Sequence, residues 1–216
     1  VIPVLVPRRP DGGVRDAAWS VLQGSVWAGQ PYEVVEGFHA EGPFNRSMAL
    51  NAAAASAGVW EVAVVADADT WVHPGALAAA VEQAARARHM VVPHRSWRCL
   101  TPTATARVLS TRRAVPGEWH LERTGAEAVS GVLVVHREQW DAAGGFDERF
   151  VGYGWEDLAF ARACVLTGGW ERLAGAGACW HLHHGHDVDL NDPQVRANGR
   201  LFGVWQRAES VTDARA

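Results

Sequence analysis

The chain has 216 residues, 48% of them hydrophobic and 20% charged, with a formal net charge of −4; this describes a soluble globular chain with one sizeable core. The negative balance argues against a surface that tracks nucleic-acid phosphates. No apolar run is long enough to span a bilayer or to read as a secretory leader, and three cysteines (Cys99, Cys164, Cys179) lack metal-type spacing, so a reduced, cytoplasmic setting is expected, with the thiols as small buried hydrophobes.

Val1 to Val6 reads as a short buried strand and "PRRPDGG" behind it as turns. From Val14 to Val26 the apolar positions fit an amphipathic helix, and "PYEVVEG" is a second strand. Pro43 leads into "FNRSMALNAAAASAG", an alanine-rich helix capped by Gly58. "VAVVADADTW", residues 62 to 71, begins as a strand buried on both faces and ends in Asp67 and Asp69. "HPGALAAAVEQAARAR" is a helix with proline near its first turn, and "HMVVP" is a strand. Residues 94 to 128 read as part helix, part irregular. "AVSGVLVVHREQW" is a strand and a helix start, and "GGFDERFVGYGWEDLAFARACVLTGG" a glycine-rich loop feeding a helix from about Trp155 to Thr167. "WERLAGAGACWHL" is the last strand, and the polar tail "QRAESVTDARA" is expected to fray. Strands and helices alternating at this spacing predict an α/β domain with a mainly parallel sheet flanked by helices.

Asp67 and Asp69 lie at a strand's C-terminal end, where ligands of such a sheet gather. Two readings are open: carboxylates that hold a hard divalent cation against phosphate oxygens, or the acids of an ordinary turn. "HLHHGHD", from His181 to Asp187, brings four of the ten histidines to the end of another strand. One imidazole with Asp69 would make a mixed site suited to Mn²⁺; histidines alone would suit a zinc hydrolase; a solvated turn would need no metal. Strand alternation puts His181 and His183 on one side and His184 on the other, so all three cannot reach one ion. Glu156 and Asp157 open a helix, where the dipole favours acids and where a general base beside a cleft would also stand. Among eleven tryptophans, Trp97, Trp119, Trp155 and Trp180 lie near polar or glycine-rich segments, as packing or as platforms for a sugar ring.

"FNRSMALN", "ADADT", "SGVLVVHREQWDAAGGFDERFVGYGWED" and "CWHLHH" follow one another as in GT-A glycosyltransferases of the beta-1,4-galactosyltransferase type, which the chain resembles over roughly residues 1 to 187. Chondroitin-type polymerases and polypeptide GalNAc-transferases are similar in layout. The resemblance implies one GT-A domain over residues 1–208, with 1–93 mainly nucleotide-binding, 94–208 completing the acceptor and metal sites, and 209–216 a tail. It implies that Pro7, Arg8 and Arg9 contact the nucleotide, that Phe44 and Arg46 contact uridine diphosphate, and that Gly131 lines the donor pocket. Asp69 would bind Mn²⁺ (or Mg²⁺) with His184 and His181, and Asp67 would lie nearer the sugar or ribose. Asp157 would be the base and Glu156 would bind the acceptor. "GYGWED" stands where the family has "WGWGGED", so Tyr153 replaces an acceptor-contacting tryptophan and Trp155 a glycine; with Gly154 and Glu156 they would form the acceptor side.

The activity so implied is inverting transfer of a hexose or N-acetylhexosamine from a UDP-sugar to a hydroxyl of a glycan, a lipid-linked sugar, a protein or a modified base. The segment from Ala114 to Ala128 would be a lid over the donor. A soluble bacterial or phage enzyme is expected. The competing classes are a sugar-phosphate nucleotidyltransferase, a zinc-dependent hydrolase and a non-catalytic glycan-binding module.

Overall fold

The computed structural model describes residues 1–115, 119, 121–126, 128–185 and 189–216. In chain order the elements are β1 (Ile2–Arg8), α1 (Val14–Leu22, continued by a π-helical turn over Gln23–Trp27), β2 (Tyr32–Phe38), α2 (Arg46–Ser56) and β3 (Val62–Ala66). Then come β4 (Thr70–Val72), α3 (Pro74–Ala87), β5 (Met90–Leu100), α4 (Pro102–Thr111), β6 (Leu121–Ala126) and β7 (Val132–His136). α5 (Arg137–Ala143), α6 (Glu156–Leu166), β8 (Trp170–His181), α7 (Pro193–Arg207) and α8 (Val211–Arg215) follow.

Among the described residues the sheet has eight strands in the order β2-β1-β3-β7-β5-β8-β4, with β6 added beside β5. β1 pairs in parallel with β2 and β3, β7 runs antiparallel to β3 and β5, and β8 is parallel to β5. It follows that β2, β1, β3, β5 and β8 all point one way, while β7, β4 and β6 are reversed. The expected parallel character is therefore present within a mixed sheet.

Apolar strands form here because both faces are covered. Along β3, Val62, Val64 and Ala66 enter one core with residues of α1, α3 and α4; Ala63 and Val65 enter the other with residues of α2, α5 and α6. The period of two thus divides one hydrophobic run between two cores.

Several boundaries differ from the sequence expectation. β1 runs on through Pro7 and Arg8 rather than turning after Val6, because its pairing with β3 ends at Leu5 and a proline costs little where one side is unpaired. β5 continues well past Pro93, whose missing N–H falls in a stretch of shifted register between Val92 and Ser96. Of the expected lid, residues 116–118, 120 and 127 lie outside the described residues; Ala114 is buried, and Leu121–Ala126 extend the sheet as β6. The tail does not fray. α8 is capped by Ser210, Ala214 is fully buried, and the Arg215 guanidinium donates to the carbonyls of Ala143, Gly144 and Gly145, which ends the orphaned carbonyls at the C-terminus of α5.

α2 lies so close to β2 that a Cβ on Gly37 would sit 1.8 Å from the Ala49 carbonyl oxygen. Gly37→Ala must therefore push helix and sheet apart. It is expected to cost about 2–3 kcal/mol and to lower Tm by roughly 5–10 °C, measured by thermal unfolding.

Candidate active site

The C-terminal ends of β1, β3, β5 and β8 lie along one edge of the sheet, and that edge carries the candidate residues. Their assembly depends on β4, three residues that sequence reasoning missed as too short to show a period. After Ala66 the chain turns through Asp67–Asp69 and returns as β4, antiparallel to β8 with Thr70 opposite His181. The Leu182 amide then donates to the Asp69 carbonyl at 3.0 Å. Gly131, just before β7, closes the turn from the other side: its carbonyl accepts from the Asp67 amide at 2.8 Å and from the Thr70 hydroxyl at 2.9 Å. With φ +88° and a Cβ position 2.3 Å from the Trp97 ring, only glycine fits there. Its position is that of a buttress beneath the acidic turn.

The pairing of β4 with β8 brings Asp69 to two imidazoles. Its Oδ2 lies 2.9 Å from His184 Nε2 and 3.6 Å from His181 Nε2, and the two ring nitrogens are 3.1 Å apart. Strand alternation does not separate them, because β8 ends at His181 and the chain then turns, folding His184 back beside it. His183 leaves the cluster; its amide donates to the Thr105 hydroxyl. His186 and Asp187 lie outside the described residues. Burial works against the charge of Asp69, but His181 and His184 override it and hold the carboxyl well below its ordinary range. Burial likewise opposes charge on His181, and Asp69 reverses this, raising it to about 10. One carboxylate oxygen and two Nε2 atoms, all within 4.8 Å of one another, are a donor set that fits a divalent transition ion.

Asp67 is compensated differently. Arg46, in the first turn of α2, donates from Nε to its Oδ1 at 2.8 Å and reaches Glu156 Oε1 at 3.6 Å. Burial opposes the charge of Arg46, yet Asp67, Glu156 and Asp157 raise it above the ordinary arginine value. The acids stay high: burial, and then the neighbouring Asp69, raise Asp67 against the pull of Arg46. Burial and then Asp157 push Glu156 up to about 7. Asp157 lies one residue on, its Oδ1 accepting from the adjacent Leu158 amide at 2.8 Å. Arg46, Asp67, Glu156 and Asp157 thus form one electrostatic group beside the imidazole cluster.

The remaining candidates sit along the same edge with partners of their own. Arg8 is held by Glu36 at 3.2 Å and Asp16 at 2.9 Å and lies over the Trp19 ring; Pro7 is buried beside it in β1. Arg9 donates to the Gly42 carbonyl. Phe44 is half-buried, and its carbonyl accepts from the Gly152 amide at 2.8 Å. Tyr153 and Trp155 are exposed, and Gly154 has φ +92° with open space beside it. Sequence reasoning missed α7, which braces this loop. "DPQ" was its readable signal: Asp192 caps the helix and Pro193 occupies its first turn.

Similarity to known proteins agrees with this geometry. Residues 112–185, from the end of α4 to just past His184, match the family model described as the N-terminal domain of galactosyltransferase. The catalytic domain of Drosophila β1,4-galactosyltransferase 7 in complex with xylobiose superposes with TM-score 0.60 at 15% identity, over 98% of this chain and 82% of that one. A variant of that enzyme with manganese, UDP-Gal and xylobiose gives 0.57 at 16% identity, over 91% and 78%. GalNAc-T7 with UDP, GalNAc and Mn²⁺ gives 0.57 at 15% identity, over 95% of this chain and 42% of that one. The fold is that of the GT-A glycosyltransferases. No protein of curated function matches the chain by sequence. Within the GT-A fold, no helix of the described residues is long and apolar enough to cross a membrane.

Glu156 carries a testable electrostatic consequence. Its folded-state pKa is raised to about 7 from an ordinary 4.5, so folding favours its protonated form. The stability this contributes is complete below about pH 4.5 and lost as pH rises through about 7. Glu156→Gln is expected to flatten the urea midpoint between these limits, removing a slope on the order of 1–3 kcal/mol. Identical pH profiles for the two proteins would show that Glu156 does not titrate in this way.

Proposed function

We propose that the chain is a metal-dependent glycosyltransferase that moves a hexose or N-acetylhexosamine from a UDP-sugar to an acceptor hydroxyl with inversion. The observation that carries this reading is the convergence of Asp69, His181 and His184 beside a separate group of acids ending in Asp157. A nucleotidyltransferase, a zinc hydrolase or a glycan-binding module accounts for one of these groups but not for both.

A divalent ion held by Asp69, His181 and His184 would supply Lewis-acid neutralisation of charge building on the departing diphosphate. Two nitrogen donors suit Mn²⁺ better than Mg²⁺, which prefers a full set of oxygens. Asp67, fixed by Arg46, faces the donor sugar or ribose. Pro7, Arg8, Arg9, Phe44 and Gly131 form the nucleotide side. Tyr153, Gly154, Trp155 and Glu156 form the acceptor side, with Glu156 orienting the attacking hydroxyl.

Asp157 takes the proton of that hydroxyl as its oxygen attacks the anomeric carbon. Asp157 takes this role from the "GWED" element's resemblance to the family's "GGED", and the engagements of its neighbours support it: Asp67 and Glu156 are ion-paired with Arg46, and Asp69 with two imidazoles. A double displacement needs a second carboxylate as nucleophile, while a single displacement needs only the one base and inverts the centre.

A panel of nucleotide sugars with Mn²⁺, scored for UDP release, identifies the donor; pyrophosphate release from UTP and a sugar phosphate would instead mark a nucleotidyltransferase. Asp157→Asn is expected to lower transfer by roughly 10²–10⁴-fold while leaving UDP affinity nearly unchanged. Normal turnover in this variant would remove Asp157 from the base role. His184→Ala is expected to weaken Mn²⁺ binding by roughly 10–100-fold or more, read by titration calorimetry.

A further inference from the structure

His94, on β5, is fully buried and reaches the segment that leads into β7. Its Nε2 lies 3.0 Å from the Ser130 carbonyl oxygen. A carbonyl only accepts, so Nε2 carries the proton, and Nδ1 has no partner among the described residues. Burial and then the Arg172 guanidinium push His94 down to about 4, which keeps it a neutral donor at pH 7. Arg172, on β8, braces the same place: its Nη1 donates to the His94 carbonyl and, at 3.1 Å, to the Ala128 carbonyl. The Ser130 carbonyl and the Gly131 amide share one rigid peptide plane. A tether on that oxygen therefore fixes the plane from which Gly131 departs at φ +88°. Gly131 is tightly bounded, since a Cβ there would lie 2.3 Å from the Trp97 ring and 3.0 Å from Cys179 Sγ. The Trp97 ring in turn lies 5.1 Å from the His181 imidazole. The Gly131 carbonyl holds the Asp67 amide and the Thr70 hydroxyl, one on each side of Asp69. A chain of close contacts thus runs from a buried imidazole to the turn that carries Asp69.

We propose that His94 is a positioning residue for the metal centre: by holding the Ser130 carbonyl it sets Gly131, and through Gly131 it sets the turn that presents Asp69 to His181 and His184. His94 is sealed from solvent and touches neither ion nor substrate. Its consequence for catalysis rests on the transferase reading; its effect on the turn does not. An apolar side chain of similar size would keep the packing and leave the Ser130 carbonyl without its donor. The peptide would then be free to rotate, and a metal ion would have to order the turn as it binds.

The test pairs His94→Leu, which removes the donor at similar volume, with His94→Gln, which keeps an N–H of similar reach. Mn²⁺ affinity, read by titration calorimetry, is expected to fall roughly 10–100-fold in His94→Leu and to recover to within about threefold of the parent in His94→Gln. Hydrogen exchange without metal reads the turn itself. The Asp67 amide should exchange at least about tenfold faster in His94→Leu, while amides of α7 keep their rate. Unchanged Mn²⁺ affinity or unchanged Asp67 exchange overturns the proposal. A loss of affinity that His94→Gln does not restore also overturns it, because packing rather than the hydrogen bond would then be the cause. Should His94→Leu not fold, nitrogen-15 NMR of the parent's histidines decides: the proposal requires a neutral His94 protonated on Nε2 at pH 7, and a proton on Nδ1 overturns it. In transfer assays with the donor found above, the Mn²⁺ concentration for half-maximal rate should rise in His94→Leu with the affinity loss, and acceptor KM should stay within about twofold. A rise in acceptor KM alone overturns the assignment to the metal centre. Faster Asp67 exchange and weaker Mn²⁺ binding in a chain that transfers no sugar from any donor uphold the positioning role and reject the transferase reading instead.

Discussion

Asp67, Asp69 and Glu156 crowd one sheet edge with little exposure, and the site depends on the cations that compensate them. Asp67 and Glu156 share one guanidinium, Arg46, brought by α2. Asp69 is compensated by imidazoles from the far end of β8. Charges so placed are expensive to leave alone: removing one partner from a buried pair costs about 3–5 kcal/mol. The acids therefore cannot be relaxed into place after a substrate arrives; their positions are set when the strands and α2 come together. The two solutions also differ in kind. Arg46 is permanently charged, so Asp67 and Glu156 have fixed partners. The imidazoles compensate Asp69 only when the cluster holds an additional positive charge, and a proton or a metal ion can supply it. A reversible site for a cation thus lies next to an irreversible one, separated by a single alanine.

Much of this was legible in the residues, because the strands that build the edge are short apolar runs ended by polar ones. "VAVVADAD" reads correctly as a buried strand delivering acids, and "GWEDLAF" as a helix opened by acids. The legible part ends where tertiary pairing overrides local pattern. β4 has three residues and no period of its own; it exists because β8 offers it an edge. The separation of His181 from His184 follows from strand alternation, and fails because the strand stops at His181, three residues before His184. Arg46 resembles a nucleotide contact in sequence, whereas its compensation of Asp67 and Glu156 becomes visible only once α2 and α6 meet. The tail looks frayed by composition alone, since the carbonyls it caps belong to α5, far away along the chain.

The "FNR" stretch also joins the two halves of the site. The Phe44 carbonyl accepts from Gly152, the Asn45 side chain donates to the Glu148 carbonyl while capping α2, and Arg46 holds Asp67. Three consecutive residues thus tie the loop of residues 147–155 to the acidic turn. Asn51, farther along α2, adds bonds to the Phe146 backbone on both its amide and its carbonyl. A shift of the loop relative to the turn would have to break several of these bonds together. The spacing between the acidic turn and the start of α6 is accordingly a property of the fold, set mainly by α2.

The same division separates what fixes the loop of residues 147–155 from what it presents. Its anchors are buried and polar: Asn45, Asn198 and Asp147 each meet backbone or side-chain partners with little exposure. Its presented groups, Tyr153 and the outer part of Trp155, are exposed, and the Tyr153 carbonyl accepts from Asn198. Substitution of an exposed ring alters the surface a substrate meets at small cost in stability, whereas substitution of an anchor leaves a buried polar group unpaired. A loop built this way can change its exposed surface without moving Glu156 and Asp157. That arrangement gives a physical reason why a tryptophan can hold a left-handed conformation here: the strain at residue 155 is met by the stack on Phe202 of α7, and the adjoining Glu156 and Asp157 stay at the start of α6.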